Sequence, residues 1–343
     1  MYASVIMPVR NEAGFIRRSL AAVLDQDYPS GLMEVIVADG LSKDGTRDAV
    51  REMMGRHPNL RLVDNPLRIV STGLNRAIRE AKGDVIVRVD GHTLVDRDYV
   101  SQCVTALRRS SADNVGGPMR AGGEGRFGRA VAVATSSRFG VGGARFHYSD
   151  DEEWVDTVYM GAWRREVFDR IGLFDEEMVR DQDDELNYRL LDHGGRILLC
   201  PRIRSCYTVR GAPHALWRQY FQYGYWKVRV IQKHPRQVRL RQLVPPAFAA
   251  VLAGSVIAAC LAPRAALLWG AVPASYTVAN LLVSIVSARH AGWSILPGLP
   301  LAFAILHLSY GLGFLAGLAR FSGKWREQTS ARPKPAAGED ASA

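Results

Sequence analysis

Short apolar runs alternate with longer amphipathic stretches through the first third of the chain. Residues 4–9 (SVIMPV), 34–38 (EVIVA), 60–64 (LRLVD) and 85–89 (VIVRV) have strand length, and polar turn residues bound them. Between them, residues 15–24 place Ile16, Leu20, Val23 and Leu24 at helical spacing. A polar turn at 42–46 (SKDGT) leads into a helix through Met54, and 72–81 reads as another helix. In that turn Gly45 is expected at positive φ, with Asp44 closing an Asx turn. Strands alternating with helices predict an α/β domain, a mostly parallel sheet with helices on both faces. Such sheets bind ligands beyond the carboxyl ends of their strands. Asn11, Asp39 and Asp90 each follow a strand directly, so three loops are expected to converge on one rim.

The pattern changes near residue 242. Residues 243–262, 265–288 and 291–319 contain no Asp, Glu, Lys or Arg, and each reaches the ~20 residues that cross a hydrocarbon core of about 30 Å as a helix. They predict a membrane domain over 242–320, preceded by a cytosolic domain over 1–212. Segment 213–241 lies between, mixing Trp217, Tyr220, Tyr223, Tyr225 and Trp226 with Lys227, Arg229, Lys233, Arg236, Arg239 and Arg241. That mixture predicts an interfacial segment among anionic headgroups on the cytoplasmic side. A tail over 321–343 is expected to be disordered. Three crossings would put Arg320, Lys324 and Arg326 opposite the basic segment, against the positive-inside rule. Pro273, or Pro297 and Pro300, would mark a kinked or re-entrant segment that keeps both ends cytoplasmic, so the side of the C-terminus stays open.

Charge follows the same division. Residues 1–192 hold 31 of the 34 acids and 26 of the 44 Lys and Arg, net −5, while the remainder carries +15. The basic surplus abuts a hydrophobic span, which excludes a nucleic-acid partner. Cys103, Cys200, Cys206 and Cys260 show no metal-ligand spacing and make no disulfide scaffold. The first residues lack a basic n-region and a cleavage site, so no signal peptide is expected. No GxGxxG follows the first strand, which excludes a nicotinamide dehydrogenase. The cluster Asp181, Asp183, Asp184 and Glu185 demands explanation, because packed carboxylates repel unless a cation or a substrate proton uses them. An acidic helix start favoured by the macrodipole is the plainer account.

Four motifs in order, SVIMPVRNE, VADGLSKDGT, GDVIVRVDGH and GLFDEEMVRDQDDELNYRL, resemble family-2 glycosyltransferases of GT-A fold. Over roughly residues 3–230 the chain is similar to the membrane-attached enzymes of bacterial exopolysaccharide assembly, of the succinoglycan-biosynthesis type. The resemblance implies that Pro8, Val9, Asn11, Glu12 and Asp39 hold the nucleotide, with Asn11 equally able to cap the next helix. Asp90 would bind a divalent cation, Mn2+ or Mg2+, with His92 as a second ligand. An imidazole there shifts preference toward Mn2+; a hydrogen-bonding turn histidine is the alternative. Aligning the motif ED-x-(D/E)-L-x-x-R with residues 182–189 puts Asp183 on the catalytic aspartate. Asp184 is the alternative base, and Glu185 would orient the acceptor.

Other assignments follow from the same resemblance. Arg164 and Arg165 fall in the acceptor-side segment, where they would touch phosphate or else form a solvated face with Glu166 and Asp169. Phe174 is expected to pack under the acidic loop. Residues 222–226 (QYGYW) echo a QxxRW signature with Tyr225 in the arginine's place, making Gln222 and Trp226 candidate lid residues or simply part of an aromatic belt. The implied activity is inverting, metal-dependent transfer from a nucleotide sugar, a UDP-sugar, to a polyprenyl-diphosphate-linked saccharide. It would act at the cytoplasmic face of the inner cell membrane as a multi-pass protein, beside other glycan-assembly enzymes. Alternatives are a polyprenyl-phosphate glycosyltransferase making a lipid-linked monosaccharide, and a non-catalytic membrane scaffold.

Overall fold

The computed structural model describes residues 1–261 and 266–325, the side chains of 266–269 excepted. Strands β1 (Ala3–Val9), β2 (Met33–Asp39), β3 (Leu60–Asp64) and β4 (Val85–Arg88) alternate with helices α1 (Ile16–Leu24), α2 (Thr46–Met54) and α3 (Val70–Glu80). These strands lie parallel in the order β3-β2-β1-β4. Their apolar runs are buried on both faces, and the two-residue period divides them between two cores. Val5, Met7, Val35 and Val87 pack with Ile16 and Leu20 of α1. Ile6, Ile36 and Ile86 point the other way, onto Leu74 and Ala77 of α3.

The next elements complete the sheet. They are β5 (Thr93–Val95), α4 (Tyr99–Arg109), β6 (Asn114–Gly116), β7 (Met119–Gly122), α5 (Gly125–Thr135), α6 (Arg138–Val141) and β8 (Glu153–Trp154). After them come β9 (Ala162–Arg164), α7 (Arg165–Ile171), α8 (Gln182–Asp192), β10 (Ile197–Leu199) and β11 (Ser205–Thr208). The main sheet continues β4-β9-β6-β10-β8, with β9 antiparallel to both neighbours, and β5-β11-β7 form a second small sheet. This is a mixed α/β fold with a mostly parallel sheet. Phe174 is buried, edge-on to Trp163 with centroids 5.9 Å apart, in the core that also holds Leu186 of α8.

Four long helices follow: α9 (Pro213–Lys233), α10 (Leu240–Leu261), α11 (Ala266–Ala291) and α12 (Leu299–Arg320). The last three lie in stretches long and apolar enough to cross a membrane. A 3-10 turn, Trp293–Gly298, contains Pro297 and separates α11 from α12. Three glycines seat α12 on α9. A Cβ on Gly224 would meet the Tyr310 carbonyl oxygen at 2.0 Å, one on Gly313 the Phe221 oxygen at 2.0 Å, and one on Gly317 the Tyr225 oxygen at 2.5 Å. Small residues allow this close approach of backbones.

The structure corrects the reading of 213–241 as a headgroup-facing segment. Lys227, Arg229 and Gln232 are buried. Arg229 and Lys233 pair with Glu177 at 2.8 and 3.0 Å, and Arg241 pairs with Asp156 at 2.6 Å. Those cations neutralise acids of the α/β domain, so part of the basic surplus is taken up internally, while Arg218 and Arg236 stay exposed. The expected tail over 321–343 also needs revision at its start: Phe321 is buried and Ser322–Trp325 forms a 3-10 turn. Residues 326–343, including Arg326, lie outside the described residues.

Candidate active site

The loops after β1 and β2 are stitched together by side chains. Asn11, at φ 54°, accepts from the Lys43 amide at 3.0 Å, and its own amide donates to Ser42 Oγ at 2.8 Å. Glu12 N donates to Thr46 Oγ1 and Ala13 N to Asp44 Oδ2. Gly45 has φ 87°, and Thr46 N reaches Asp44 Oδ1 at 3.2 Å, the Asx turn expected of SKDGT. Phe15, without a side-chain bond, precedes α1, so Asn11 does not cap that helix. Asp39 is fully buried, accepting from Ser42 N at 3.0 Å, Ser42 Oγ at 2.5 Å and Arg47 Nη1 at 2.8 Å. It braces the turn from inside. Pro8 and Val9 pair with Ala38 and Asp39 in register, so the proposed nucleotide residues do share one strand-end rim.

The end of β4 contributes the next groups. Arg88 stands on the same face as Ile86 and is buried at 3% exposure. A buried guanidinium requires carboxylate partners, and it has two: Nε donates to Asp90 Oδ1 at 2.8 Å, and Nη1 donates to Asp183 Oδ1 of α8. Gly91 lies against Val9, where a Cβ would come within 2.8 Å of Cγ1. His92 Nδ1 lies 3.2 Å from Glu12 Oε1 and its ring sits edge-on to Tyr207 at 5.5 Å. Because a carboxylate only accepts, Nδ1 is the donor in this contact, which leaves Nε2 as the ring nitrogen not used by Glu12.

At the start of α8 the four carboxylates separate into different environments. Asp181 has φ 56°, and its Oδ2 is buried without a hydrogen bond, 3.7 Å from Lys227 Nζ. Burial pushes its carboxyl up to about 7 against the pull of Lys227, with Asp184 and Asp183 adding to the rise. Asp183 keeps 30% of its side chain exposed. Burial raises its pKa, Arg88 opposes that rise, and Asp90 reinforces it. Asp184 accepts from Thr157 Oγ1 at 2.9 Å and is held by Lys227 Nζ. Burial would raise it, but Lys227 and Thr157 bring its pKa below the ordinary value.

Several expected site residues sit elsewhere. Glu185 is 3% exposed, clamped by Arg189 at 2.5 Å and by His234 Nε2 at 3.2 Å, so its oxygens serve the core and not an acceptor. Arg164 pairs in register with Val85, the first residue of β4, whereas Asp90 follows its last. Five residues of strand separate them by about 16 Å. Arg164 donates to the carbonyls of Leu107 and Ser110, and Arg165 Nη1 to that of Ala81 at 2.8 Å. They close loops at the opposite end of the sheet, and the expectation of phosphate contact is corrected accordingly. Gln222 Oε1 accepts from Arg180 Nε at 3.2 Å, just before the acidic cluster, whereas Trp226 packs on Tyr225 and Phe321.

Arg88, Thr157 and Lys227 were not legible as site residues from the motifs. Arg88 did leave a signal: a cation inside an apolar strand run, two residues before Asp90, on a face that must be buried. Among the described residues no group of three or more His, Cys, Asp or Glu is gathered as a cation site. A divalent cation that shares phosphate oxygens with its substrate needs only one or two protein ligands; Asp90, whose two oxygens both accept from Arg88, and His92 are the residues at this strand end that could supply them.

Comparison with known proteins identifies the family. The family described as "Glycosyl transferase family 2" matches residues 4–172. The succinoglycan biosynthesis protein ExoA of Rhizobium meliloti (strain 1021) is 32% identical over 256 residues, covering 74% of this chain and 77% of the relative. The dolichyl N-acetyl-alpha-D-glucosaminyl phosphate 3-beta-D-2,3-diacetamido-2,3-dideoxy-beta-D-glucuronosyltransferase of Methanococcus voltae is 27% identical over 240 residues, covering 68% and 74%. Among solved structures, mannosyltransferase PcManGT from Pyrobaculum calidifontis in complex with GDP-Man and Mn2+ has a TM-score of 0.58. That likeness, at 23% identity over 91% of this chain and 86% of the other, is one of fold. The α/β sheet, the ordered strand-end motifs and the ExoA relationship together place this chain in glycosyltransferase family 2.

Proposed function

We propose that the protein is an inverting glycosyltransferase that moves a sugar from a UDP-sugar onto a polyprenyl-diphosphate-linked saccharide at the cytoplasmic face of the inner membrane. The observation that carries this reading is the division of the acidic cluster. Asp183 alone among the three consecutive acids 183–185 is neither locked to Lys227 nor clamped by Arg189, and it is joined to Asp90 through Arg88. A group poised as a base must be open to its substrate and have a tuned pKa. Asp183 takes the proton of the acceptor hydroxyl as that oxygen forms its bond to C1. The bond from C1 to the diphosphate oxygen breaks on the opposite side, its electron pair leaving with the nucleoside diphosphate. A cation held by Asp90 and His92, Mn2+ or Mg2+, would stabilise the charge on that leaving group. Pro8, Val9, Asn11 and Glu12 form the rim for the nucleotide, with Asp39 holding the rim's shape. The lipid-linked acceptor is supported by the dolichyl substrate in the name of the Methanococcus voltae relative.

Calorimetric titration of detergent-purified protein with UDP, GDP and TDP, each with and without Mn2+, tests the donor. UDP binding that strengthens with Mn2+, and loses that dependence in Asp90→Ala, is expected. Asp183→Asn should bind UDP normally and transfer no sugar. Binding of GDP in preference to UDP would overturn the donor assignment, and turnover by Asp183→Asn would overturn the base.

A further inference from the structure

Length and composition make α12 look like a third crossing: 22 residues rise about 33 Å as a helix. Its packing says otherwise. A helix that leaves the catalytic domain through the bilayer has one end about 30 Å away, across the hydrocarbon core. Both ends of α12 rest on the α/β domain or on α9. At its start Leu299, Ala302 and Phe303 pack with Ala130 and Ala134 of α5 and Leu216 of α9. At its middle His307 Nε2 lies 2.8 Å from the Phe139 carbonyl of α6. At its end the Phe321 carbonyl accepts from Gln232 Nε2 of α9 at 2.9 Å, and Lys324 Nζ reaches Glu177 at 2.5 Å.

The direction of travel agrees. Gly224 of α9 meets Tyr310, Tyr225 meets Gly317 and Gln232 meets Phe321, so the two helices run side by side in the same direction. Exposure separates α12 from its neighbours as well. Half of its most apolar window is buried, against 17% for α10 and for α11. What remains open includes Leu301, Leu312 and Leu318, apolar and uncharged. On α10 and α11, by contrast, Val251, Ile257, Leu261, Leu282 and Val286 are among many exposed apolar side chains, as a pair of spans needs.

We infer that α12 does not cross the bilayer but lies along the catalytic domain, its open leucines in the acyl layer of the adjoining leaflet, with the α10–α11 hairpin as the crossing. This rests on the membrane reading given above. The chain at residues 321–325 then stays on the catalytic side, which removes the conflict with the positive-inside rule. It also joins the leaflet to the site: α12 grips α9, and α9 delivers Lys227 to Asp181 and Asp184. A lipid-borne acceptor reaches the acidic loop along the surface that carries its tail.

Single cysteines test this in the full chain, with exposed Cys206 and Cys260 changed to serine and buried Cys103 and Cys200 kept. Gly31→Cys marks the catalytic domain and Gly323→Cys the segment after α12; neither Cβ meets an atom within 4 Å. Arg264→Cys marks the connection between α10 and α11. Each variant, checked for retained glycosyl transfer, is treated with a membrane-impermeant maleimide in sealed right-side-out and inverted vesicles. Expected is labelling of positions 31 and 323 from the same face, at least tenfold over the other, and of 264 from the opposite face. Labelling of 31 and 323 from opposite faces would mean three crossings and overturn the inference while leaving the membrane reading intact. Labelling of 264 from the same face as 31 would overturn the hairpin. Release of the protein by alkaline carbonate would instead sink the membrane reading itself.

Discussion

Arg88→Met is the perturbation that most directly probes the proposed base. Methionine fills similar space without charge, leaving Asp183 and Asp90 facing each other across the gap that the guanidinium occupied. Two unit charges about 4 Å apart interact by about 4 kcal/mol at an effective dielectric constant near 20, which is about 3 pH units. Asp183 keeps 30% side-chain exposure, so solvent screening reduces this, and a rise of about 1–3 units in its pKa is expected. Burial already raises that pKa and Arg88 opposes the rise, so removing Arg88 moves it further upward. The acidic limb of kcat/KM against pH reports ionisation of the base in the free enzyme. It should move to higher pH by the same about 1–3 units, with rate recovering on the alkaline side. Arg88→Lys, which keeps one charge but cannot fork to both carboxylates, should shift it less. The assay is sugar transfer across a pH series, with melting measured in the same buffers. A uniform loss at every pH, or a limb that stays where the wild type has it, would refute the reasoning.

Two further predictions concern the residues behind the base. Lys227→Met leaves Asp181 and the part-exposed Asp184 without their shared cation and should cost about 3 kcal/mol, read as a melting temperature lower by roughly 10 °C; an unchanged melt would show that Lys227 does not hold the two acids. Asp181→Asn tests pH dependence. The carboxyl ionises near 3.8 when unfolded and at about 7 when folded. Between those values the unfolded chain binds fewer protons than the folded one, so this group makes stability fall as pH rises through that window. The variant should melt at a temperature that declines less from pH 4 to pH 7, and a slope equal to the wild type's would remove Asp181 from the account.

The parallel α/β core was legible because its determinants are local. Residues 5–9 and 35–38 are apolar at every position, which only a strand buried on both faces tolerates, and the helical spacing between them leaves one way to cover the sheet. The strand-end positions of Asn11, Asp39 and Asp90 follow from that alternation. The three uncharged runs were legible for the same reason, since length and polarity are properties of the segment itself. Tertiary structure decided everything that depends on partners distant in sequence. Arg164 and Asp90 are attached to opposite ends of one strand by a register that an antiparallel pairing fixes. Lys227, Arg229, Lys233 and Arg241 face inward because acids at 156, 175, 177, 181 and 184 come to meet them. Asp183, Asp184 and Glu185 are neighbours with identical prospects in the sequence. Arg88, Lys227 and Arg189 reach them from three elements, and each fixes a different charge environment. The sequence by itself determined which segments are buried and where the acids cluster; only the packed chain determined which acid is open and whether the last apolar helix leaves the domain, because both depend on the groups that lie opposite.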